Sequence, residues 1–580
     1  MSKNYSRRTF LKGAAASAIS VAALGVVGCS KEEPAVQQEQ TVKEELAVNQ
    51  QPVVNKVETN LADDWLGKAP EIDDSEVSST LDTDLLIVGA GNGGLMAAAT
   101  AADANMDFII CEQNTIVGDT RYWVGAVDTD AMKEAGVTVQ KDRILNELAR
   151  YASYKCNMDL IKMWIDNSAE MISYLENLGG TAVVNVENGN HVGGNNMEYY
   201  VPSVWHTINV PEDSPYATPM GMQRNLLLAD YIADKGHEIK FSMSLVKLTQ
   251  DSSKNITGAI FTNENDEYVK INAKNVILAT GGYPGNPKMI KALAPIVEKC
   301  VTASSYFARN TGMGIKAGIW AGAEMDAEPA PMIFDRGLVA PGVKAGYVDD
   351  GKGNLKFPGT VYQFNLGTQP MLKVNKEGKR FANESCPYDF FNFAASLQTD
   401  GVYAAIFDSD IVDDVLTYDQ YGCAKISVDM ANAGALMDSI NKYVDDGLIF
   451  RCDTIDELAD KLGIPSDTLN ASVKRYNELC DKGVDEDYGK EAYRMRSVDK
   501  APYYGCFFGG TLLTTCDGLR INEKCQVYDT EHKIIEGLYC IGDCSGSFYA
   551  NNYPEYIVGN AIGRTLTQGR MAIKVILGEV

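Results

Sequence analysis

Histidine is scarce: only His191, His206, His237 and His532 occur in 580 residues. That argues against metal centres built from imidazoles and against histidine-driven acid–base chemistry, and no metal site is expected. Long apolar runs are also missing. Beyond the first 28 residues no stretch holds 18 uninterrupted apolar side chains, so no transmembrane helix is expected. Basic charge is in deficit, with 52 Lys and Arg against 78 Asp and Glu and a formal net charge of −26. Such a surface repels phosphate backbones, which excludes nucleic acid as an expected partner. The 13 cysteines include no C-x-x-C pair and no C-x-x-C-H haem motif. Scattered as they are, they read as buried apolar thiols rather than a disulfide framework. What remains is an ordinary globular composition, 45% apolar and 22% charged. The length suits one large nucleotide-binding unit with a second domain inserted in it.

The first 29 residues read as an address. Ser6-Arg7-Arg8-Thr9-Phe10-Leu11-Lys12 is a twin-arginine pattern, followed by small apolar residues from Ala14 to Gly28. Val26-Val27-Gly28-Cys29 resembles a lipoprotein cleavage site, with Cys29 as the lipid-bearing residue. Export by the twin-arginine route carries folded, often cofactor-loaded proteins. The expected location is periplasmic or the outer face of the cytoplasmic membrane, held only through a lipid anchor. Residues 30–79 are rich in Glu, Gln, Val and Lys, with few aromatics, and read as a flexible acidic linker.

The strongest signal begins at Asp84. Asp84-Leu85-Leu86-Ile87-Val88 suits a buried parallel strand. Gly89-Ala90-Gly91-Asn92-Gly93-Gly94 follows at once and opens a helix of small residues. Gly89 serves the tight turn, Gly91 admits a pyrophosphate, and Gly94 allows helix and strand to pack closely. The helix N-terminus would receive the pyrophosphate. A second strand, Asp107 to Cys111, ends in Glu112, placed to accept the ribose hydroxyls of an adenosine. Two distant segments make FAD the expected cofactor. Asn275 to Leu278 leads into Ala279-Thr280-Gly281-Gly282. Gly537 to Gly542 leads into Asp543, placed for a ribityl chain, and Gly559-Asn560-Ala561-Ile562 opens a last helix whose N–H groups suit a reduced flavin ring.

These segments, with Lys373-Val374-Asn375-Lys376-Glu377-Gly378-Lys379-Arg380-Phe381-Ala382-Asn383-Glu384 between them, resemble the flavoproteins of the fumarate reductase and succinate dehydrogenase family. Its soluble branch includes fumarate reductases, urocanate reductases and 3-ketosteroid dehydrogenases. The resemblance implies an α/β fold, a Rossmann-type FAD-binding domain with an inserted α+β capping domain. It places the FAD domain at 80–344 and 509–580 and the cap at 345–508. It adds Gln113, Asp119 and Thr120 to the expected cofactor contacts. It implies hydride transfer between flavin N5 and a carbon–carbon bond conjugated to a carbonyl, with a small unsaturated carbonyl compound as substrate. No His lies between Glu112 and Asp130, so the flavin is expected to be non-covalent.

The cationic residues that hold dicarboxylates in the fumarate reductases are replaced here. Tyr388 stands where the proton-donating Arg would be, Thr514 where a His would be, and Phe548-Tyr549-Ala550-Asn551-Asn552-Tyr553-Pro554, which has no Arg, where a pattern with a second Arg would be. Asn383-Glu384-Ser385-Cys386-Pro387-Tyr388 and Tyr553-Pro554 instead resemble the ketosteroid dehydrogenase branch. By that resemblance Tyr388 is the acid or base at carbon, Tyr553 polarises the carbonyl, and Tyr122 supports Tyr388. Glu555 replaces a glycine-rich stretch after Tyr-Pro and reshapes the pocket floor. The expected activity is an ene-reductase serving anaerobic respiration. Its electrons come from outside, through a cytochrome, a flavin carrier or a quinol enzyme. Alternatives are a steroid-type dehydrogenase in the oxidising direction, a fumarate or urocanate reductase, and a tethered electron relay without catalysis.

Overall fold

A computed structural model describes residues 65–118, 123–187, 203–210, 224–305, 308–418, 426, 434–554 and 556–580. The signal, most of the expected linker, Asp119, Thr120, Tyr122 and Glu555 lie outside them. Residues 65–580 form one compact unit.

The chain first builds a nucleotide-type sheet. Strand β1 (Val77–Val88) leads through the glycine loop into helix α1 (Asn92–Asp103), and β2 (Phe108–Cys111) returns parallel to β1. After β3 (Ile239–Lys240), three strands follow: β4 (Ser244–Gln250), β5 (Ile256–Thr262) and β6 (Tyr268–Leu278). β6 lies parallel to β1 on its other side, with Val88 opposite Leu278. β5 pairs antiparallel with β6, and β4 with β5. The continuous apolar end of β1, Leu85 to Val88, is buried on both faces, as a central parallel strand requires. Ten of the twelve residues of α1 are buried, so its run of alanines is a packing feature: small side chains bring the helix close to the sheet.

The expected linker ends earlier than its composition indicates. Trp65 packs against the core, Gly67 and Pro70 accept hydrogen bonds from Trp320 and Lys247, and Val77 already pairs with Tyr268. Those contacts offset the ordering entropy that composition alone leaves uncompensated.

The second sheet is organised on one strand. Its members are β7 (Val301–Ser304), β8 (Pro331–Val339), β9 (Leu372–Val374), β10 (Tyr403–Phe407) and β11 (Ile449–Cys452), with helix α2 (Tyr388–Ala395) between β9 and β10. Helix α3 (Ser466–Lys482) precedes the spine strand β12 (Tyr503–Thr515). β12 pairs parallel with β7 and antiparallel with β8, β10 and β11. Close partners require small residues: a Cβ on Gly509 would sit 2.3 Å from Thr302 Cγ2, and one on Gly510 2.6 Å from Ile333 Cγ2. Period-two alternation separates two apolar layers. Tyr403, Ala405 and Phe407 enter one, Ala404 and Ile406 the other. The expected cap boundary at 508 falls inside β12, a single continuous strand.

The chain then returns to the first sheet. β13 (Gln526–Tyr528) and β14 (Ile534–Cys540) complete it, β14 parallel to β6, and helix α4 (Asn560–Ile576) closes the fold.

Arg380 and Glu384, which the sequence pattern singles out, form a buried clamp. Arg380 donates from Nε and Nη2 to the two oxygens of Glu384, both at 2.8 Å, and from Nη1 and Nη2 to Asp485 at 3.1 and 2.8 Å. Lys490 Nζ donates to Tyr476 Oη at 2.6 Å and lies 3.6 Å from Glu384. Burial alone would raise the pKa of Asp485, but Arg380 outweighs it and holds that carboxyl at about 2, against an ordinary 3.8. Asp485→Ala leaves Arg380 short of a partner. It is expected to cost about 3–5 kcal/mol in urea unfolding at neutral pH. Because the native pKa of Asp485 is depressed, its contribution is full above pH 3.8 and is lost as pH falls through about 2. The penalty must therefore shrink in acid, and a loss below about 1 kcal/mol at pH 7 would show the clamp to be marginal.

Candidate active site

Three parallel strands end on one edge. Val88 of β1, Leu278 of β6 and Cys540 of β14 stand in register, and each runs into a loop that contains glycine. Gly89 has φ +106°, and a Cβ there would lie 2.5 Å from Ala279 O. A Cβ on Gly94 would lie 1.8 Å from Gly89 O, so helix and loop touch backbone to backbone. A Cβ on Gly91, the N-cap of α1, would meet nothing within 4 Å. The loop is thus closed on the protein side and open above Gly91, a cradle whose N–H groups suit a diphosphate.

Glu112 is buried at the end of β2. It accepts from Ala90 N at 2.8 Å and from Asn114 N and Nδ2 at 3.0 and 2.6 Å. A carboxylate has about four acceptor sites, so capacity for a ribose hydroxyl remains. Gln113 is exposed beside it. The bare Cα of Gly93 packs against Ile541 and Thr565, which joins α1 to α4. Thr280 donates to Cys544 Sγ at 3.2 Å, Gly281 has φ +72°, and Gly282 lies against Thr515 at the end of β12. The second sheet therefore delivers its spine strand to the same edge.

Asp543, directly after β14, accepts from Thr514 Oγ1 at 2.9 Å and from Arg564 Nη2 at 2.7 Å. At the start of α4, Gly559 (φ +79°) abuts Trp123 O. The Asn560 side chain serves the loop before it. It bonds Tyr549 Oη and donates to the carbonyls of Pro554 and Tyr556. Ala561 N donates to Tyr553 Oη at 3.4 Å, and Ile562 is half-buried.

Tyr388 opens α2, whose N-cap is Pro387, and Asn392 Nδ2 donates to its carbonyl. Its ring meets Phe334 edge-on at 4.6 Å, and the guanidinium of Arg336 lies 6.0 Å from its centroid. Tyr388 is buried in the large apolar core that joins the nucleotide sheet to Phe334 of β8 and Leu512 of β12, and partly buried Phe390 and Phe393 of the same helix pack against that core. Phe391 and Ala395 of that helix enter a layer of the second sheet instead. Tyr553 belongs to the same core.

The structure adds residues that the sequence patterns leave unmarked. Arg336 is fully buried on β8, where an irregular register between Phe334 and Gly337 inserts an extra residue, and Nε donates to Thr368. Arg564 is fully buried one turn into α4. Buried Asp517 and half-buried Asp326 form an acidic pair. Asp517 accepts from Tyr283 Oη at 2.5 Å and from Ala330 N, and Asp326 accepts from Ser547 N and Oγ. None carries a motif, and only the folded loops bring them together.

The glycine cradle, the acid at the end of β2 and the loop at Asp543 fit an FAD. A family model described as an FAD binding domain matches residues 84–555. The chain belongs to this FAD-binding family. It is 26% identical over 502 residues to a vinyl phenol reductase of Lactiplantibacillus plantarum, across 84% of this chain and 94% of that protein. Its fold matches a 3-ketosteroid Δ1-dehydrogenase from Sterolibacterium denitrificans, with a TM-score of 0.65 at 19% identity over 86% of this chain and 100% of that one. It also matches the open conformation of a flavocytochrome c3 fumarate reductase, with a TM-score of 0.61 at 23% identity over 86% and 78%. The fold is therefore the α/β fold of FAD-dependent oxidoreductases with a cap, and the chain is an FAD-dependent oxidoreductase acting on CH–CH groups. Among the described residues eleven cysteines are free, and no group of side chains is arranged to hold a metal ion. Cys29 and Cys423 lie outside them.

The acidic pair gives the site a pH signature. Burial, reinforced by Asp517, raises Asp326 to about 7. The native state therefore takes up a proton near neutrality that the unfolded chain accepts only near 3.8, and this group's contribution to stability rises as pH falls from 8 to 5. Asp326→Asn removes that gain. The stability difference between the two proteins should grow in favour of the natural one by about 2 kcal/mol over that range. Thermal unfolding in matched buffers measures it, and a pH-independent difference would refute the shift.

Proposed function

We propose that this protein is an exported ene-reductase that reduces a carbon–carbon double bond conjugated to a carbonyl or to a hydroxyaryl ring, with Tyr388 as proton donor at carbon and Tyr553 as partner of the substrate oxygen. The observation that carries the reading is the placement of Tyr388. It stands at the start of a helix in the core shared by the two sheets, the core that also holds Tyr553, whereas Phe391 and Ala395 of that helix serve the second sheet's own layer. The name of the bacterial vinyl phenol reductase supports the reducing direction and an aromatic, weakly acidic substrate.

When bound, FAD supplies the hydride. The rest falls to the chain. Tyr553 accepts the N–H of Ala561 at the N-terminus of α4. A hydroxyl held by that donor, at the positive end of a helix, gives up its own hydrogen bond to a carbonyl more readily. Charge developing on the substrate oxygen is then met by a prepared donor. Tyr388 is fixed by its helix and by Phe334, so its hydroxyl is oriented before substrate arrives. Its role is to hand a proton to the carbon that the hydride does not take. Buried Arg336, near the Tyr388 ring, favours the phenolate left behind. Tyr122 supports Tyr388 in this reading.

We further propose that FAD is held without a covalent bond. Its contacts are the loop Gly89 to Gly94, Glu112, Gln113, Asp119, Thr120, Ala279 to Gly282, Asp543 and the Gly559 to Ile562 turn. Electrons come from an external cytochrome, flavin carrier or quinol enzyme. The twin-arginine pattern and Cys29 support export and a lipid tether. No helix among the described residues is long and apolar enough to cross a membrane.

The test is anaerobic. Reduced, FAD-loaded protein is mixed with fumarate, urocanate, 4-vinylphenol, a hydroxycinnamate or a 3-keto-Δ4-steroid, and flavin re-oxidation is followed. Rapid re-oxidation by a vinylphenol or an enone, with fumarate inert, is expected. Tyr388→Phe should slow it by about 10²–10⁴-fold, the usual contribution of a positioned acid. Re-oxidation by fumarate alone would refute the assignment. Fast exchange with a cytochrome and silence toward every alkene would identify an electron relay.

A further inference from the structure

Arg564 has a place that the reaction outlined above does not use. Its side chain is fully buried, yet it carries a charge. Nη2 donates to Asp543 Oδ1 at 2.7 Å. The guanidinium lies 5.0 Å from the ring centroid of Tyr549 and 5.4 Å from that of Phe548. Nε and Nη1 have no hydrogen-bond partner among the described residues. Burial works against its charge, but the oxygens of Tyr549 and Asp543 outweigh that effect and keep it protonated.

Asp543 is the acid that follows β14 on the edge where the glycine cradle opens. Thr514 Oγ1 binds its other oxygen. A carboxylate beside a flavin opposes reduction, because uptake of two electrons and one proton leaves one negative charge on the ring. At short range in a low dielectric that opposition is large. A cation in contact with the carboxylate cancels it.

We propose that Arg564 is a positioning residue that sets the reduction potential of the bound flavin by neutralising Asp543. The pair presents no net charge to the ring, so the reduced, anionic flavin is not penalised. Both oxygens of Asp543 already accept, one from Arg564 and one from Thr514, and such a carboxylate is suited to receive a hydroxyl of the cofactor's ribityl chain as well. This rests on the reading that FAD lies beside Asp543. It does not depend on which alkene is reduced.

The experiment measures the two-electron midpoint potential of the FAD-loaded protein by equilibration with a reference dye, without any alkene. Arg564→Met is expected to favour the oxidised flavin by at least tenfold, about 30 mV for a two-electron couple. Asp543→Asn leaves the cation alone and is expected to shift the equilibrium the other way by a similar factor. The double variant should return to within about threefold of the natural protein, and Arg564→Lys should stay close to it. Removing one partner of a buried pair is destabilising; if Arg564→Met loses its cofactor, Asp543→Asn and the uncharged double variant carry the test. Potentials that coincide across FAD-loaded variants would overturn the proposal. So would loss of FAD from both of those two, which would make the pair a device for retention. A shifted potential with no alkene turned over would sink the ene-reductase reading and leave this one standing.

Discussion

Everything at this site depends on a close approach of backbone to backbone at one sheet edge. A Cβ on Gly94 would lie 1.8 Å from Gly89 O, and one on Gly89 2.5 Å from Ala279 O. No side chain fits between α1, the end of β1 and the end of β6. That contact fixes where the helix begins and directs its free N–H groups across the strand ends. The same economy recurs where α4 meets the loop after Trp123. There Gly559 and Gly563 lie against backbone, 2.5 Å from Trp123 O and 1.7 Å from Gly125 O measured from an added Cβ. Two helix N-termini are thereby brought to the edge that three strands reach.

The second sheet answers a different demand. It carries its own two apolar layers and a buried ionic clamp, and the helix after Arg380 and Glu384 starts with Tyr388, which enters the core shared with the nucleotide sheet. The Arg380, Glu384 and Asp485 clamp lies just before α2. Asn383 accepts from Ser385 N at 2.8 Å, and the turn ends at Pro387, which sets the first residue of the helix. A strongly patterned stretch of sequence thus acts through geometry, by fixing the direction in which Tyr388 leaves the turn. Charge is handled in the same way throughout. Buried Asp485 and Glu384 and half-buried Asp543 are met by arginine or lysine, whereas Asp326 and Asp517 have no such partner in contact among the described residues, and burial raises them to about 7 and about 6.

What was legible in the sequence was what repeats along it. The turn at Gly89, the small-residue helix and the acid at Glu112 follow one another within a few residues, and local physics dictates each. The strands ending at Leu278 and Cys540 were also readable, because continuous apolar runs bounded by glycine leave few alternatives. The linker boundary was not, since residues 65–79 become ordered only through Trp65 and the pairing of Val77 with Tyr268, contacts nearly 200 residues distant. Nor was the continuity of β12, because a strand shared by four neighbours looks locally like any other apolar run. Arg564, Arg336 and the pair Asp326 and Asp517 were invisible for the same reason. A buried charge is recognised by what surrounds it, and those surroundings come from distant loops. Asn560 shows the converse, as a residue in the right motif whose side chain serves the loop that carries Tyr553.

The central claim is that the second sheet brings Tyr388 to the flavin opposite a hydroxyl held by α4. A crystal structure of the FAD-loaded protein with a reduced product bound tests it most directly. The account predicts the product lying against the flavin ring, its oxygen within hydrogen-bond distance of Tyr553 and its former alkene carbon facing the Tyr388 hydroxyl. A product bound elsewhere, or a Tyr388 hydroxyl turned away from it, would contradict the account.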